Sequence, residues 1–415
     1  GISAPYQRDD DMMNVGTVAE LVKEYRDAVV DIRRQIHSRP ELAFEEEETG
    51  RLVAAVLDDL GIPARRGIAG TGVVGVLSSG NPGPTIAIRA DMDALPVTER
   101  TGLPFRSGTS GLMHACGHDG HVAIALGTAM VLSRLRQRLK GNVKFMFQPA
   151  EERLAGAAPM IEQGVLDSPK VDSIFALHLW PDVPFGHLGV NYGVAMAACD
   201  RFSISFVGKG GHGANPHLGI DTVTASSLGV LSLQTVVSRE VDPVDPAVLS
   251  IGTIQGGTAF NTIADKVELH GTVRAVNRSV SDFICKAVKQ KLDGVALATG
   301  TQCDLNYVHC CPALVNDQSA AGRAHKTASR FLGNDGVHVL HAPSMIAEDF
   351  ACYLNHVPGA MLFLGIGPKA GEAGGCATCY PLHHPEFGFD EEILSVGTEF
   401  LTMLTIDSCK ALMAP

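Results

Sequence analysis

The side chains best suited to chemistry gather in a few places along this sequence, each at the end of an apolar run. The densest is His114-Ala115-Cys116-Gly117-His118-Asp119-Gly120-His121, which follows a glycine-rich turn and leads into a helical run. A cysteine thiolate and an imidazole two residues apart can both reach one metal ion from an extended loop end. The competing reading is a helix start capped by Asp119 with solvated histidines. So many ligand-type side chains in so short a span favour metal binding.

A second place is Gln148-Pro149-Ala150-Glu151-Glu152, directly after the apolar run Val143 to Phe147. Two adjacent carboxylates at a strand end cannot easily point the same way. One can bind a metal while the other faces the water on it; alternatively the pair belongs to a solvated acidic loop. His178 lies in the apolar run Ile174 to Leu179, where a histidine is either a satisfied core residue or a ligand. His383-His384-Pro385 says nothing by itself. Cys376 and Cys379, with His383 downstream, could hold a structural zinc or form a redox pair. A second cysteine pair at ligand spacing is missing, so two unpaired loop thiols are expected there.

These positions need a scaffold. Thr17 to Ser38 and Glu45 to Leu60 read as helices, stopped by Pro40 and Gly61. Short apolar runs follow at Val73 to Leu77 and Thr85 to Ile88. A helical run spans Val122 to Leu135, and strand-length runs cover Val143 to Phe147 and Ser173 to Leu179. Helices alternating with short buried strands argue for a layered α/β domain. The middle third changes rhythm. Strand patterns at Phe202 to Val207, Ala247 to Ile254, Lys266 to Ala275 and Gln302 to Val308 are separated by helical patterns at Asp221 to Ser238 and Val280 to Ala298. That order, β-α-β-β-α-β, is the split pattern of a ferredoxin-like sandwich. The expected organisation is therefore a two-domain α/β protein: a catalytic domain from residues 15–196 and 310–415, interrupted by a ferredoxin-like domain at 197–309. Helices at Asn316 to Leu332, Asp349 to Asn355 and Glu391 to Leu404, and a strand at Ala360 to Leu364, complete the catalytic part.

Composition agrees with a globular chain. Of 415 residues, 45% are apolar and 19% charged, which calls for two or three domains at roughly 100–200 residues each. A net charge of −12 without a long Lys/Arg run excludes a general nucleic-acid or anionic-membrane role. No apolar run reaches about 18 residues, so no membrane span is expected. Residues 1–14 lack the apolar core of a signal peptide, and Met12 or Met13 is the expected native start. Ten irregularly spaced cysteines fall short of disulfide-scaffold density, and the expected compartment is the reducing cytoplasm.

Six strings then carry a resemblance: HSRPELAFEE (37–46), GTGVVGVL (70–77), RADMDALP (89–96), HACGHDGH (114–121), FQPAEE (147–152) and GKGGHGANPH (208–217). In this order, over about residues 17–404, the sequence resembles the amidohydrolase branch of the aminoacylase/carboxypeptidase metallohydrolases. That branch includes hippurate hydrolases, N-acyl-amino-acid amidohydrolases and auxin-conjugate hydrolases. The resemblance implies a catalytic α/β domain with a ferredoxin-like insertion that pairs subunits into a homodimer. It also implies two divalent ions per subunit, zinc or manganese with cobalt or nickel as alternatives.

Residue by residue, the resemblance makes Cys116, His118, Glu152, His178 and His383 the metal ligands, with Cys116 bridging. Glu151 becomes the catalytic acid/base. His383 is preferred to His384 because the family pattern is His-any-Pro. His212 resembles the histidine that reaches a neighbouring subunit's site, and Asn261 and Arg274 match substrate-holding positions. Asp91 and Asp93 stand where other branches carry a metal-binding His-any-Asp; here they are expected to support the ligands rather than join them. Gly213 replaces the more usual alanine, and the stretch Gly371 to Tyr380 is atypical for the family.

The implied reaction is hydrolysis of an N-acyl-amino acid. It needs a nucleophile, a polarised carbonyl and a proton for the leaving amine. A divalent ion lowers the pKa of bound water towards about 7, a free carboxylate shuttles the proton, and an arginine can grip a substrate carboxylate with two parallel bonds. His212 is a candidate oxyanion donor. Two other readings compete. One is an inactive ligand-binding homologue, which the presence of Glu151, Glu152 and all five ligand positions opposes. The other is a metal-dependent dipeptidase or carboxypeptidase.

Overall fold

The computed structural model describes residues 15–369 and 380–413. The described chain divides into two compact units. The first takes in the chain up to Gly193, Val315–His341, and the described residues from Cys352 onward; the second comprises Val194–Leu314 with Ala342–Ala351.

The first unit is built on an eight-stranded sheet. From edge to edge its strands are Ala64–Ile68, Gly72–Ser78, Asn142–Gln148, Thr85–Asp91, Ser173–Trp180, Gly359–Gly365, Leu188–Val190 and Val337–Val339. The four central strands, Asn142–Gln148 to Gly359–Gly365, run parallel. Thr85–Asp91, Ser173–Trp180 and Gly359–Gly365 are buried along their whole length, as expected of parallel strands covered on both faces. The helices Val15–Ser38, His118–Arg134 and Glu392–Ala411 pack on one another. His118–Arg134 is the central one, buried from His118 through Leu132.

That helix starts four residues before the apolar run that suggested it, because its first turn is polar yet buried. Three strands of this eight-stranded sheet have no strong sequence signal. Ala64–Ile68 is an edge strand carrying exposed Arg65 and Arg66, while Leu188–Val190 and Val337–Val339 have three residues each.

The second unit holds a four-stranded antiparallel sheet in the order Ala247–Gly256, Lys266–Ala275, Ala198–Val207, Gln302–Cys311. In chain order that is 2-3-1-4, the ferredoxin-like arrangement. The helices Thr222–Thr235 and Arg278–Thr299 close a core that includes Phe202, Phe206, Leu233, Leu269, Ile284 and Leu292. Side chains fix both helix starts. Asp221 accepts the N–H groups of Val223 and Thr224, and Asn277 accepts that of Val280. Ala342–Ala351 joins this unit through backbone pairing that no local pattern announces: Ala197 N–H donates to Ser344 O at 2.9 Å and Ser344 N–H to Ala195 O at 2.9 Å. Among the described residues, no helix is long and apolar enough to cross a membrane.

Candidate metal centre

The parallel strands end on the same edge of the sheet, and the candidate residues leave from those ends. This is where open α/β sheets bind ligands. Asp91 closes one strand and Asp93 follows it, Glu151 and Glu152 follow Asn142–Gln148, and His178 lies near the end of Ser173–Trp180.

Cys116 and His118 sit at the start of the central helix, where Gly117 takes a left-handed conformation (φ 87°). A Cβ at Gly117 would lie 3.2 Å from Leu179 Cδ1, so the turn is both left-handed and closely packed. Glu151–Arg153 forms a single tight turn bracketed by two non-glycine residues in the left-handed region, Ala150 (φ 56°) and Leu154 (φ 53°). Such residues cost of order 1–3 kcal/mol each and persist only when their surroundings hold them. Here Glu46 accepts the Ala150 N–H at 2.9 Å, and Asp93 accepts those of Glu151 and Glu152 at 3.1 and 2.9 Å. His383 is also left-handed (φ 68°), its N–H donating to Ala115 O at 2.8 Å.

Among the triads of ligand atoms that result, two overlap at one residue. Those of Cys116, His118 and His178 lie within 4.8 Å of one another, and so do those of Cys116, Glu152 and His383. Cys116 is common to both. The imidazoles are oriented from behind. His118 Nδ1–H donates to Asp93 O and His178 Nδ1–H to Leu179 O, both at 2.8 Å, which turns each Nε2 towards the shared space. His118 Nε2 is buried without a hydrogen-bond partner, 3.8 Å from Glu152 Oε1 and 3.9 Å from Glu151 Oε2. His383 Nε2 lies 3.4 Å from Glu152 Oε1.

Electrostatics describe a site that wants a cation. Burial, then the carboxylates of Glu152, Glu151 and Asp91, push the Cys116 thiol well above its ordinary value. Burial alone would lower His118, yet Asp91, Asp93 and Glu152 raise it to about 10, so the imidazole itself takes up positive charge among the carboxylates. His178 is held well below its ordinary value by burial and by His121, and stays a neutral donor. Burial would raise Glu152, but His383 and His118 keep it lowered. An orphaned buried imidazole nitrogen facing carboxylates and a thiol is a donor set that divalent ions fit.

The solvated-histidine alternative fails: His114, His118 and His121 are all buried, and Asp119 is engaged by Arg33 (2.7 Å) and His37 (2.8 Å). His121 is committed elsewhere. Its Nδ1–H donates to Asp91 Oδ1 at 2.6 Å, and its Nε2 accepts the Leu179 N–H at 3.0 Å. Asp91 also takes Arg89 Nη1 at 2.6 Å. The remaining candidates lie in the second unit. His212 and Asn261 are exposed in neighbouring segments; Gly211–His212 pairs with Thr262–Ile263, and Gly213 N–H donates to Asn261 O at 2.8 Å. Arg274 is half-buried on Lys266–Ala275, opposite Cys199 and Val248. Cys376 and Cys379 lie outside the described residues.

Sequence reasoning missed the groups behind the site. Glu46, His37 and Glu99 are buried or nearly so and hold backbone or side chains around it. Two of them stand inside the string at 37–46, but only tertiary contacts reveal their purpose.

Comparison with known proteins agrees with this geometry. Peptidase family M20/M25/M40 matches residues 87–406. The N-acetylcysteine deacetylase of Bacillus subtilis is 39% identical, covering 92% of this chain and 97% of its own. Thermostable carboxypeptidase 1 of Saccharolobus solfataricus is 38% identical, covering 93% and 96%. Among solved structures, the YxeP protein of Bacillus subtilis, described as a dinuclear metal binding peptidase from the M20 family, is 35% identical. It covers 94% of this chain and 99% of its own with a TM-score of 0.79. Full-length similarity at these identities, together with a cation-seeking donor set at the strand ends, leads to one conclusion: the chain belongs to peptidase family M20/M25/M40, in its amidohydrolase branch, and is an enzyme that hydrolyses amide bonds.

Proposed function

We propose that this enzyme hydrolyses the amide bond of N-acyl-amino acids, releasing a carboxylic acid and an amino acid. Two divalent ions would be held by Cys116, His118, Glu152, His178 and His383, with Cys116 shared. The observation that carries this reading is the pair of triads meeting at Cys116, with His118 Nε2 buried and making no hydrogen bond. When bound, the ions supply a water acidic enough to attack near neutral pH and a positive site for the carbonyl oxygen.

The chain's own residues do the rest. Glu151, anchored through its backbone on Asp93, takes the proton of the attacking water and returns it to the leaving nitrogen. Glu152, its neighbour, stays ionised beside His383 and His118. Arg274 and Asn261 hold the substrate carboxylate end, and His212 stabilises the developing oxyanion. In this reading His212 serves the active site of a second copy, the two pairing through the ferredoxin-like unit. The exposed edge strand Ala247–Gly256, with Val248 and Ile254 bare, supports that pairing. Zinc suits the thiolate and imidazoles; the carboxylate also admits manganese, and cobalt or nickel would serve.

A second reading, carboxypeptidase or dipeptidase action, draws support from the carboxypeptidase relative. Both reactions cut an amide next to a free carboxylate. Assaying metal-reconstituted protein against N-acetyl and N-benzoyl amino acids beside free dipeptides separates them. Turnover of dipeptides alone would reverse the assignment.

A further inference from the structure

His37 lies outside every ligand position, on the last turn of the helix Val15–Ser38, and is buried. Its two ring nitrogens meet two different carboxylates: Nδ1 is 2.8 Å from Asp119 Oδ2, and Nε2 is 3.2 Å from Glu99 Oε1. A neutral imidazole offers one donor and one acceptor, whereas both partners here are acceptors, so the geometry calls for an imidazolium that donates twice. Arg33, one turn earlier, donates to Asp119 as well and reaches Glu391. Two rings also face His37: that of Phe105, 5.6 Å away between centroids, and that of His114, 6.4 Å away.

Each carboxylate is rooted in a segment tied to the metal centre. Asp119 directly follows His118 in the first turn of the central helix. Glu99 accepts the Ser107 N–H at 2.6 Å and so closes the loop on which it stands. Next to it, Arg100 N–H donates to Pro385 O at 2.7 Å, two residues past His383. His383 N–H in turn donates to Ala115 O, next to Cys116. Two segments therefore meet on one side chain of a distant helix: that of Asp119, which carries His118, and that of Glu99, which is tied through Arg100 to the segment of His383.

We propose that His37 is a positioning residue for the metal centre: by donating to Asp119 and Glu99 at once, it fixes the loops that carry Cys116, His118 and His383. This rests on the two-metal reading above. Partners that orient metal ligands typically contribute about 10–100-fold in metal affinity. A glutamine at position 37 has one amide nitrogen and one oxygen, so it leaves one carboxylate facing an acceptor.

The test is cobalt(II) binding by His37→Gln, measured by chelator competition and by the cobalt absorption spectrum, beside the melting temperature of the metal-free protein. The expected result is an affinity weaker by about 10–100-fold with an altered spectrum. Arg34→Ala, which removes an exposed pair to Glu391, should bind cobalt like the parent. Affinity within twofold of the parent with an unchanged spectrum, whatever the melting temperature does, would overturn the proposal by leaving His37 a purely structural role. If His37→Gln does not fold, Glu99→Gln is read by the same criteria. A parent protein that binds no cobalt defeats the two-metal reading itself; a parent that binds it while His37→Gln matches it defeats only this inference.

Discussion

Cys116 Sγ lies 3.7 Å from His178 Nε2, although 62 residues separate them in the chain. His178 Nδ1 is already committed to the Leu179 carbonyl, so the thiol and the free imidazole nitrogen face the same buried space. If Cys116 serves both ions and His178 only one, as proposed, their variants should fail differently. Cys116→Ala is expected to lose both ions and His178→Ala only one, read as metal equivalents per chain by elemental analysis after loading. Equal stoichiometry in the two variants would remove the bridging role.

Glu151 and Glu152 hang from one carboxylate, Asp93, through their backbone N–H groups, yet their side chains should separate cleanly in function. Glu151→Gln keeps its shape and loses its proton acceptor, so kcat should fall by about 100-fold or more with metal content unchanged. Glu152→Gln should lower metal content as well. Near-parental kcat in Glu151→Gln would reassign the acid/base.

Glu99 gives a pH signature. Burial alone would raise it, but His37, Thr101 and the Ser107 N–H pull it from 4.5 down to about 2. A carboxylate lowered in the folded state contributes stability that is present above 4.5 and is lost as pH falls towards about 2. His37, raised above 6.5 by Asp119 and Glu99 against the opposing effect of burial, contributes fully below 6.5 and loses its contribution as pH rises through its higher folded value. In metal-free protein, the melting-temperature difference between parent and Glu99→Gln should be largest at about pH 4.5–6.5 and shrink towards pH 2. A difference that stays constant from pH 6.5 down to about 2 would show that Glu99 is not ionised in the fold.

His212 tests the dimer and the mechanism together. If it completes a partner's site, His212→Ala and Glu151→Gln chains, each inactive alone, should regain part of their activity after subunit exchange. One site of the mixed dimer then has Glu151 from one chain and His212 from the other. Proven exchange without recovery would confine His212 to its own chain or leave it without a role.

Much of this was legible in the sequence because burial leaves runs that are easy to read. The strands at 85–91 and 173–180 carry apolar runs, at 85–88 and 174–179, since both faces are covered, and the alternation at 266–275 reports a sheet with one covered face. The strand at 64–68 was not legible, because an edge strand needs no apolar residues at Arg65 and Arg66. Candidate ligands stood out by residue type and spacing at 114–121 and 148–152. Their supports did not: Glu46 under Ala150, His121 between Asp91 and Leu179, and His37 between Asp119 and Glu99 act through contacts whose sequence separation runs from 30 to 104 residues. No local pattern encodes such pairs.

In the proposed function, amide hydrolysis runs on two divalent ions held by this donor set. The most direct measurement is a titration of chelator-stripped protein with zinc or manganese, following hydrolysis of an N-acyl-amino acid against metal equivalents per chain. No turnover is expected at zero equivalents, followed by a rise that saturates at about two. Full turnover in protein shown by elemental analysis to be metal-free would contradict it.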